Sequence, residues 1–270
     1  MFFAVTTVSI EKLARLSSPI ARNNNNVNNV NNNMNVLSIA VETNNIGVVL
    51  LEQSLYADAL EVFRSAADLM YLVTQELKAA QLSPEDRVDS SLTKMKIRSI
   101  QKKIQVITQS AGNKRRQVLK HSESDCFLHD CGLTLSYAAS PATCALQSAT
   151  IFLNMALSYH LSIPEGSSAG VPALRNAMTL YEMSYSVASL VEQTDDSSRI
   201  VMAALNNMAY IHHGCGLSEK SREVMDTLQA YIRQTTITRT PQGSSIFTEE
   251  TRVYLLNAVF LHEPRGAAAA

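Results

Sequence analysis

VETNNIGVVLLEQSLYADALEVFRSAADLMYLV, residues 41–73, is the stretch on which the fold turns. Asn45-Ile46-Gly47 opens an apolar run at helical intervals. In the run that follows, Ala59 and Phe63 stand four apart, with Ala66 on the same face. Residues three and four apart share one side of a helix. A small residue on that side lets a second helix approach closely, so Gly47, Ala59 and Ala66 predict two helices packed as a pair.

The first half of this pattern recurs. Asn154-Met155-Ala156 lies within TIFLNMALSYHL, Asn207-Met208-Ala209 within ALNNMAYIHHG and Asn257-Ala258-Val259 within YLLNAVFLHEP. A small residue follows two places after the Asn at Gly47, Ala156 and Ala209, while Val259 is larger. Ala177 and Tyr181 supply a second-helix pattern after the second copy, and SEKSREVMDTLQAYI supplies one after the third. In that second helix of the third copy, Ser221 and Met225 stand where an Ala and an aromatic are expected.

Composition agrees with an all-α fold. Nine Gly and seven Pro in 270 residues are roughly half the usual share of these residues. That leaves too few turn formers for a sandwich or barrel of many short strands. The hydrophobic content of 46% is ample for a core, and the net charge of −1 creates no whole-chain field toward nucleic acid or membrane. The longest aliphatic runs, such as Val48 to Leu51, fall far short of the ~20 apolar residues of a membrane span. Four cysteines are too sparse for a disulfide framework, which points to a reduced intracellular setting.

Asn45, Ile46, Gly47, Leu50, Tyr56, Ala59, Phe63 and Ala66 fall at the spacing of a tetratricopeptide repeat, with Thr43 where that family usually has Trp. The chain thus resembles a tetratricopeptide-repeat protein with degenerate later copies. The resemblance implies a TPR-like α-solenoid of antiparallel helix pairs. The first pair would occupy residues 36–81, and repeats two to four residues 145–262, the last incomplete and followed by a disordered tail over 263–270. In that family the first helices line a concave groove that holds peptide segments of other proteins. Position by position, the resemblance places Asn44, Asn45, Val48, Leu153, Asn154, Leu157, His160, Asn206, Asn207, Tyr210, His213, Leu256, Asn257 and Phe260 toward that groove. Side-chain amides carry both donors and acceptors, so an Asn ladder can hold a peptide backbone without demanding particular side chains. The same residues could equally hydrogen-bond neighbouring helices and fix packing. The basic places with which some family members grip a partner's C-terminal carboxylates are unfilled, which argues against that mode.

Residues 82–144 form a basic, partly irregular insertion. Nine Lys or Arg and no acidic residue lie between Lys94 and Lys120, including Lys102, Lys103 and the cluster Lys114-Arg115-Arg116. The block reads as a solvated linker, or as a phosphate-contacting or nuclear-import patch. It has no aromatic residue to stack on bases. Ala111-Gly112-Asn113 reads as a break, and CFLHDCGLTLSYAA beyond it as a short strand or an extra helix. Residues 1–35 are read as an N-terminal segment with a disordered spacer over 23–35, where ten of thirteen residues are Asn. Lys12, Arg15 and Arg22 against the single Glu11 leave mitochondrial targeting as a minor alternative to a cytoplasmic or nuclear location.

Metal and enzyme chemistry find little support. His121, Cys126, His129 and Cys131 lie close in sequence, as do His212, His213 and Cys215, but no C-x-x-C occurs, so no metal or other cofactor is expected. Cys126 with His121 or His129 is a formal nucleophile–base pair that nothing in the sequence orients. With no Lys-bearing phosphate loop, H-E-x-x-H or G-x-S-x-G, the expectation is a non-enzymatic scaffold that binds another protein. The alternative is a nucleic-acid-associated factor using residues 94–120.

Overall fold

A computed structural model describes residues 27–79, 90–111, 128–136, 141–163, 170–238 and 251–258. Every regular element among them is a helix: α1 Val27–Glu52, α2 Tyr56–Ala79, α3 Ser90–Ala111, α4 Pro141–Leu161, α5 Val171–Ser189, α6 Asp195–Gly214, α7 Ser218–Thr238 and α8 251–258. No described helix is long and apolar enough to cross a membrane. Residues 1–26, with the targeting alternative, lie outside the described residues, as do Lys114, Arg115, Arg116, His121, Cys126, Phe260 and the 263–270 tail.

α1 takes in residues 27–35 of the Asn-rich tract, where the sequence reading expects a spacer. Asn costs at most ~0.7 kcal/mol per residue relative to Ala in a helix, and the packed turns from Val36 onward supply the costly nucleus. Three-residue connections, 53–55 and 215–217, fold α1 onto α2 and α6 onto α7. Both begin with the same chain reversal. Ser54 N–H reaches the Leu51 carbonyl and Leu55 N–H the Leu50 carbonyl, as Gly216 reaches His213 and Leu217 reaches His212. This double bond pattern needs a left-handed residue at the turn. Gly216 supplies it at φ 75° without a Cβ penalty, and Ser54 adopts it at φ 59°. At its other end α6 is closed by a capping box, in which Thr194 Oγ1 accepts from Ser197 N–H and Ser197 Oγ accepts from Thr194 N–H.

Packing follows chain order except at one point: α2 contacts α4 directly, so α3 is passed over. Close approach within the pairs rests on the small residues. A Cβ on Gly47 would stand 2.5–2.9 Å from the Phe63 ring, so the glycine is what seats that ring against α1. Ala59, Ala66, Ala156, Ala177 and Ala209 are all fully buried. Ser221, in place of an Ala, is buried too, and its hydroxyl donates to the Ala209 carbonyl at 2.9 Å, tying α7 to α6. Met225 fills the aromatic's place at full burial.

α3 rests on α2, with Ile97 and Ile100 packed against the cluster that holds Leu69, Met70 and Val73, and it ends at Ala111, where the sequence predicts a break. The basic segment is thus helical as far as that residue. Lys94, Lys96, Arg98 and Lys102 are exposed, and Lys103 forms an ion pair with Glu61 of α2. Segment 128–136 is neither the strand nor the helix that the sequence suggested. It is an extended chain with no ladder partner, because its backbone is paired with side chains.

Candidate functional site

Asn45, Asn154 and Asn207 occupy equivalent places on α1, α4 and α6, a row in which α4 touches both of the others. Segment 128–136 crosses all three. Asn45 Oδ1 accepts from Leu135 N–H at 2.8 Å while its Nδ2 donates to the Leu135 carbonyl at 3.0 Å. Asn154 does the same to Leu133, at 2.9 and 2.9 Å, and Asn207 to His129, at 2.9 and 3.0 Å. Each amide therefore replaces one residue of a neighbouring strand, matching a backbone donor and a backbone acceptor at once.

The register has a geometric reason. In an extended chain the N–H and C=O of residues two apart point to the same edge, and 129, 133 and 135 share that parity. The six residue-to-residue steps from His129 to Leu135 cover about 20 Å at ~3.3 Å each, which matches two interhelical steps of ~8–10 Å. The chain runs against helix order, with Leu135 on α1 and His129 on α6.

A second set of amides holds the first in place. Asn44 Nδ2 donates to Asn45 Oδ1 and to the Leu133 carbonyl, and Asn44 Oδ1 accepts from Asn154 Nδ2 at 2.9 Å. Asn206 repeats the arrangement, its Nδ2 donating to Asn207 Oδ1 at 3.1 Å and its Oδ1 accepting from Asn257 Nδ2 of α8 at 2.8 Å. The members differ in what they hold, and the backbone they meet belongs to this same chain. Asn45, Asn154 and Asn207 hold backbone, whereas Asn44, Asn206 and Asn257 chiefly join helices. Asn44, Asn154, Asn206 and Asn207 are fully buried. Such groups are costly when unmatched, so their amide orientations are strongly fixed.

Tyr181 closes the network from α5. Its hydroxyl accepts from Asn207 Nδ2 at 3.1 Å and lies 3.4 Å from His160 Nδ1. Burial pushes this hydroxyl well above its ordinary pKa, against the opposing Asn207 contact, so it keeps its proton. Tyr210 packs against the His160 imidazole, with ring centroids 5.7 Å apart. His129 of the segment meets Tyr254 of α8, the hydroxyl 2.9 Å from Nδ1.

The side chains of the segment touch the core without entering it. Leu128 and Leu133 pack on the cluster around Val48, Leu153 and Leu157, and Leu135 on that around Leu37 and Ile151. Gly132 lies against α1, where a Cβ would stand 3.0–3.3 Å from Leu51 and Val48. Of the other residues predicted for the groove, Val48, Leu153 and Leu157 belong to the core, Leu256 is exposed, and His213 is half-buried near the end of α6. Sequence reasoning missed Tyr181 and Tyr254 as parts of this network, and it missed the segment itself.

No group of three His, Cys, Asp or Glu among the described residues could hold a metal. Of the thiols, Cys131 and Cys215 are exposed, while burial pushes Cys144 up to about 11. Thiolate is the reactive form. A disulfide reagent at pH 8, read by peptide mapping, should therefore modify Cys131 and Cys215 on the order of 100-fold faster than Cys144. Comparable rates at all three would refute the burial of Cys144.

Comparison with protein-family models, with curated proteins and with solved structures finds no match for this chain.

Proposed function

We propose that the chain is a non-enzymatic scaffold, a short α-solenoid of TPR-like helix pairs, that binds an extended peptide of another protein across α1, α4 and α6. One observation carries this reading: three equivalent asparagines each bond both the N–H and the C=O of one residue in an extended segment. Recognition of this kind draws its affinity from main-chain bonds and leaves selectivity to the pockets between them. The chain would thus act by capture on a preformed face, with no chemistry of its own. The alternative, phosphate contact through residues 94–120, keeps among the described residues the exposed Lys94, Lys96, Arg98 and Lys102. It would show as nucleic-acid binding that weakens steeply with salt.

The test uses the full-length chain with residues 128–136 exchanged for nine Gly and Ser residues, which strips the Leu128, Leu133 and Leu135 contacts that anchor the segment and leaves it a weak competitor for the face. Selection from a displayed library of random 12-residue peptides should enrich sequences whose binding is lost with Asn154→Ala/Asn207→Ala/Tyr210→Ala. Enrichment indifferent to those three substitutions would overturn the reading.

A further inference from the structure

Resting on that reading, we infer that the groove takes one kind of peptide, an extended segment carrying a glycine followed by Leu-x-Leu, and that residues 128–136 are its internal competitor. The segment has the character of a seated ligand. None of its nine residues is fully buried, and Asp130, Cys131, Thr134 and Ser136 are exposed. Beneath it, Asn44, Asn154 and Asn207 are fully buried. Release of the segment would uncover a finished row of amides without removing any side chain from the centre of the core.

The amides set register, and the neighbouring contacts set sequence. At the position of Gly132 the backbone approaches Val48 and Leu51 so closely that a Cβ would have only 3.0–3.3 Å. A branched residue there would lift the chain off the Asn45 and Asn154 amides. Leu133 and Leu135, two apart and so on one face of the extended chain, pack on separate parts of the core. A partner peptide in the same register therefore offers Gly-Leu-x-Leu, with the intervening residue unrestricted because Thr134 faces solvent. The internal copy has the advantage of attachment. Only residues 137–140 separate it from α4, and short tethers give effective concentrations in the millimolar range.

A labelled nonapeptide, LHDSGLTLS, reproduces residues 128–136 with Cys131→Ser. Its anisotropy is followed against the wild-type chain, the Gly/Ser-exchanged chain, and the exchanged chain with Asn154→Ala. The expected result is micromolar binding to the exchanged chain and binding on the order of 100-fold weaker to wild type. Loss of at least about tenfold is expected with Asn154→Ala, and likewise for peptides carrying Gly132→Val or Leu133→Ser/Leu135→Ser. Equal binding of the Gly132→Val peptide, or library selection of Asn-dependent peptides without this pattern, would overturn the inference while leaving backbone capture standing. A folded exchanged chain that binds the nonapeptide no better than wild type would overturn it too. So would a concentration-dependent wild-type dimer, since the occupant would then be the segment of a second copy. If the exchanged chain does not fold, hydrogen exchange on wild type decides. The amides of His129, Leu133 and Leu135 should exchange by local opening, far faster than that of Leu157 in α4, and equal protection would make the segment part of the core.

Discussion

Asn154→Asp should destabilise the chain by about 3 kcal/mol or more at pH 7, and the loss should shrink as the pH falls. The substitution exchanges an NH2 group for an oxygen and changes nothing else in shape. Asn154 Nδ2 donates to two oxygens, the Leu133 carbonyl and Asn44 Oδ1, each at 2.9 Å. An aspartate would set a third oxygen against those two at full burial, with its charge unmatched. Its carboxyl pKa would therefore rise in the folded state above the ~3.9 of an unfolded chain. The unfolded state then binds fewer protons between those two values, so stability falls as pH rises through that window. The penalty is complete above the folded value and fades toward pH 4, where a protonated carboxyl can donate one of the lost bonds. Asn154→Ala also loses the clamp but has no proton to bind. Urea denaturation of wild type and both variants from pH 5 to 8 checks this. The aspartate variant's deficit should diminish toward acid while the alanine variant's stays constant, and parallel behaviour would contradict the donor geometry.

The second large effect lies between α1 and α2. Phe63→Ala should cost about 3–5 kcal/mol, since the ring is fully buried and a cavity replaces it. Gly47→Ala alone should cost about 1–3 kcal/mol by forcing the ring aside. In the Phe63→Ala background the same Gly47→Ala change should reverse sign and stabilise by about 1 kcal/mol. The clash is gone there, and alanine is the better helix former by about that amount. A double-mutant cycle by chemical denaturation reads the coupling directly. Additive losses would mean that the ring does not rest on Gly47.

The helix pairs were legible because their causes are local. Ala59, Phe63 and Ala66 recur about one helical turn apart, Gly47 stands twelve residues before Ala59, and the pairing they predict is the pairing that forms. The repeated Asn at 154 and 207 located α4 and α6 for the same reason. The extended segment was illegible because its partners lie far away and are side chains. Asn44 and Asn45 stand about 90 positions from Leu133 and Leu135, and Asn207 stands 78 from His129. A backbone held by amides imposes no alternation on its own residues, so nothing in LHDCGLTLS marks it as paired. The reading that an Asn ladder can hold a peptide backbone matches the chemistry seen, but it assigned that backbone to another molecule. Gly132 beside Leu-x-Leu was the one clue available, and it acquires meaning only once Val48 and Leu51 are placed next to it.

The extended segment also has a mechanical consequence. Helices that touch only their neighbours can slide and splay with little resistance, like leaves of a spring. An extended chain has little length in reserve below the limit of about 3.3–3.6 Å per residue. Fastened to α1, α4 and α6, residues 129–135 act as an inextensible tie that caps the separation of those three helices. A pulling force that spreads them is borne first by the hydrogen bonds of Asn45 to Leu135 and of Asn207 to His129, the two ends of the tie.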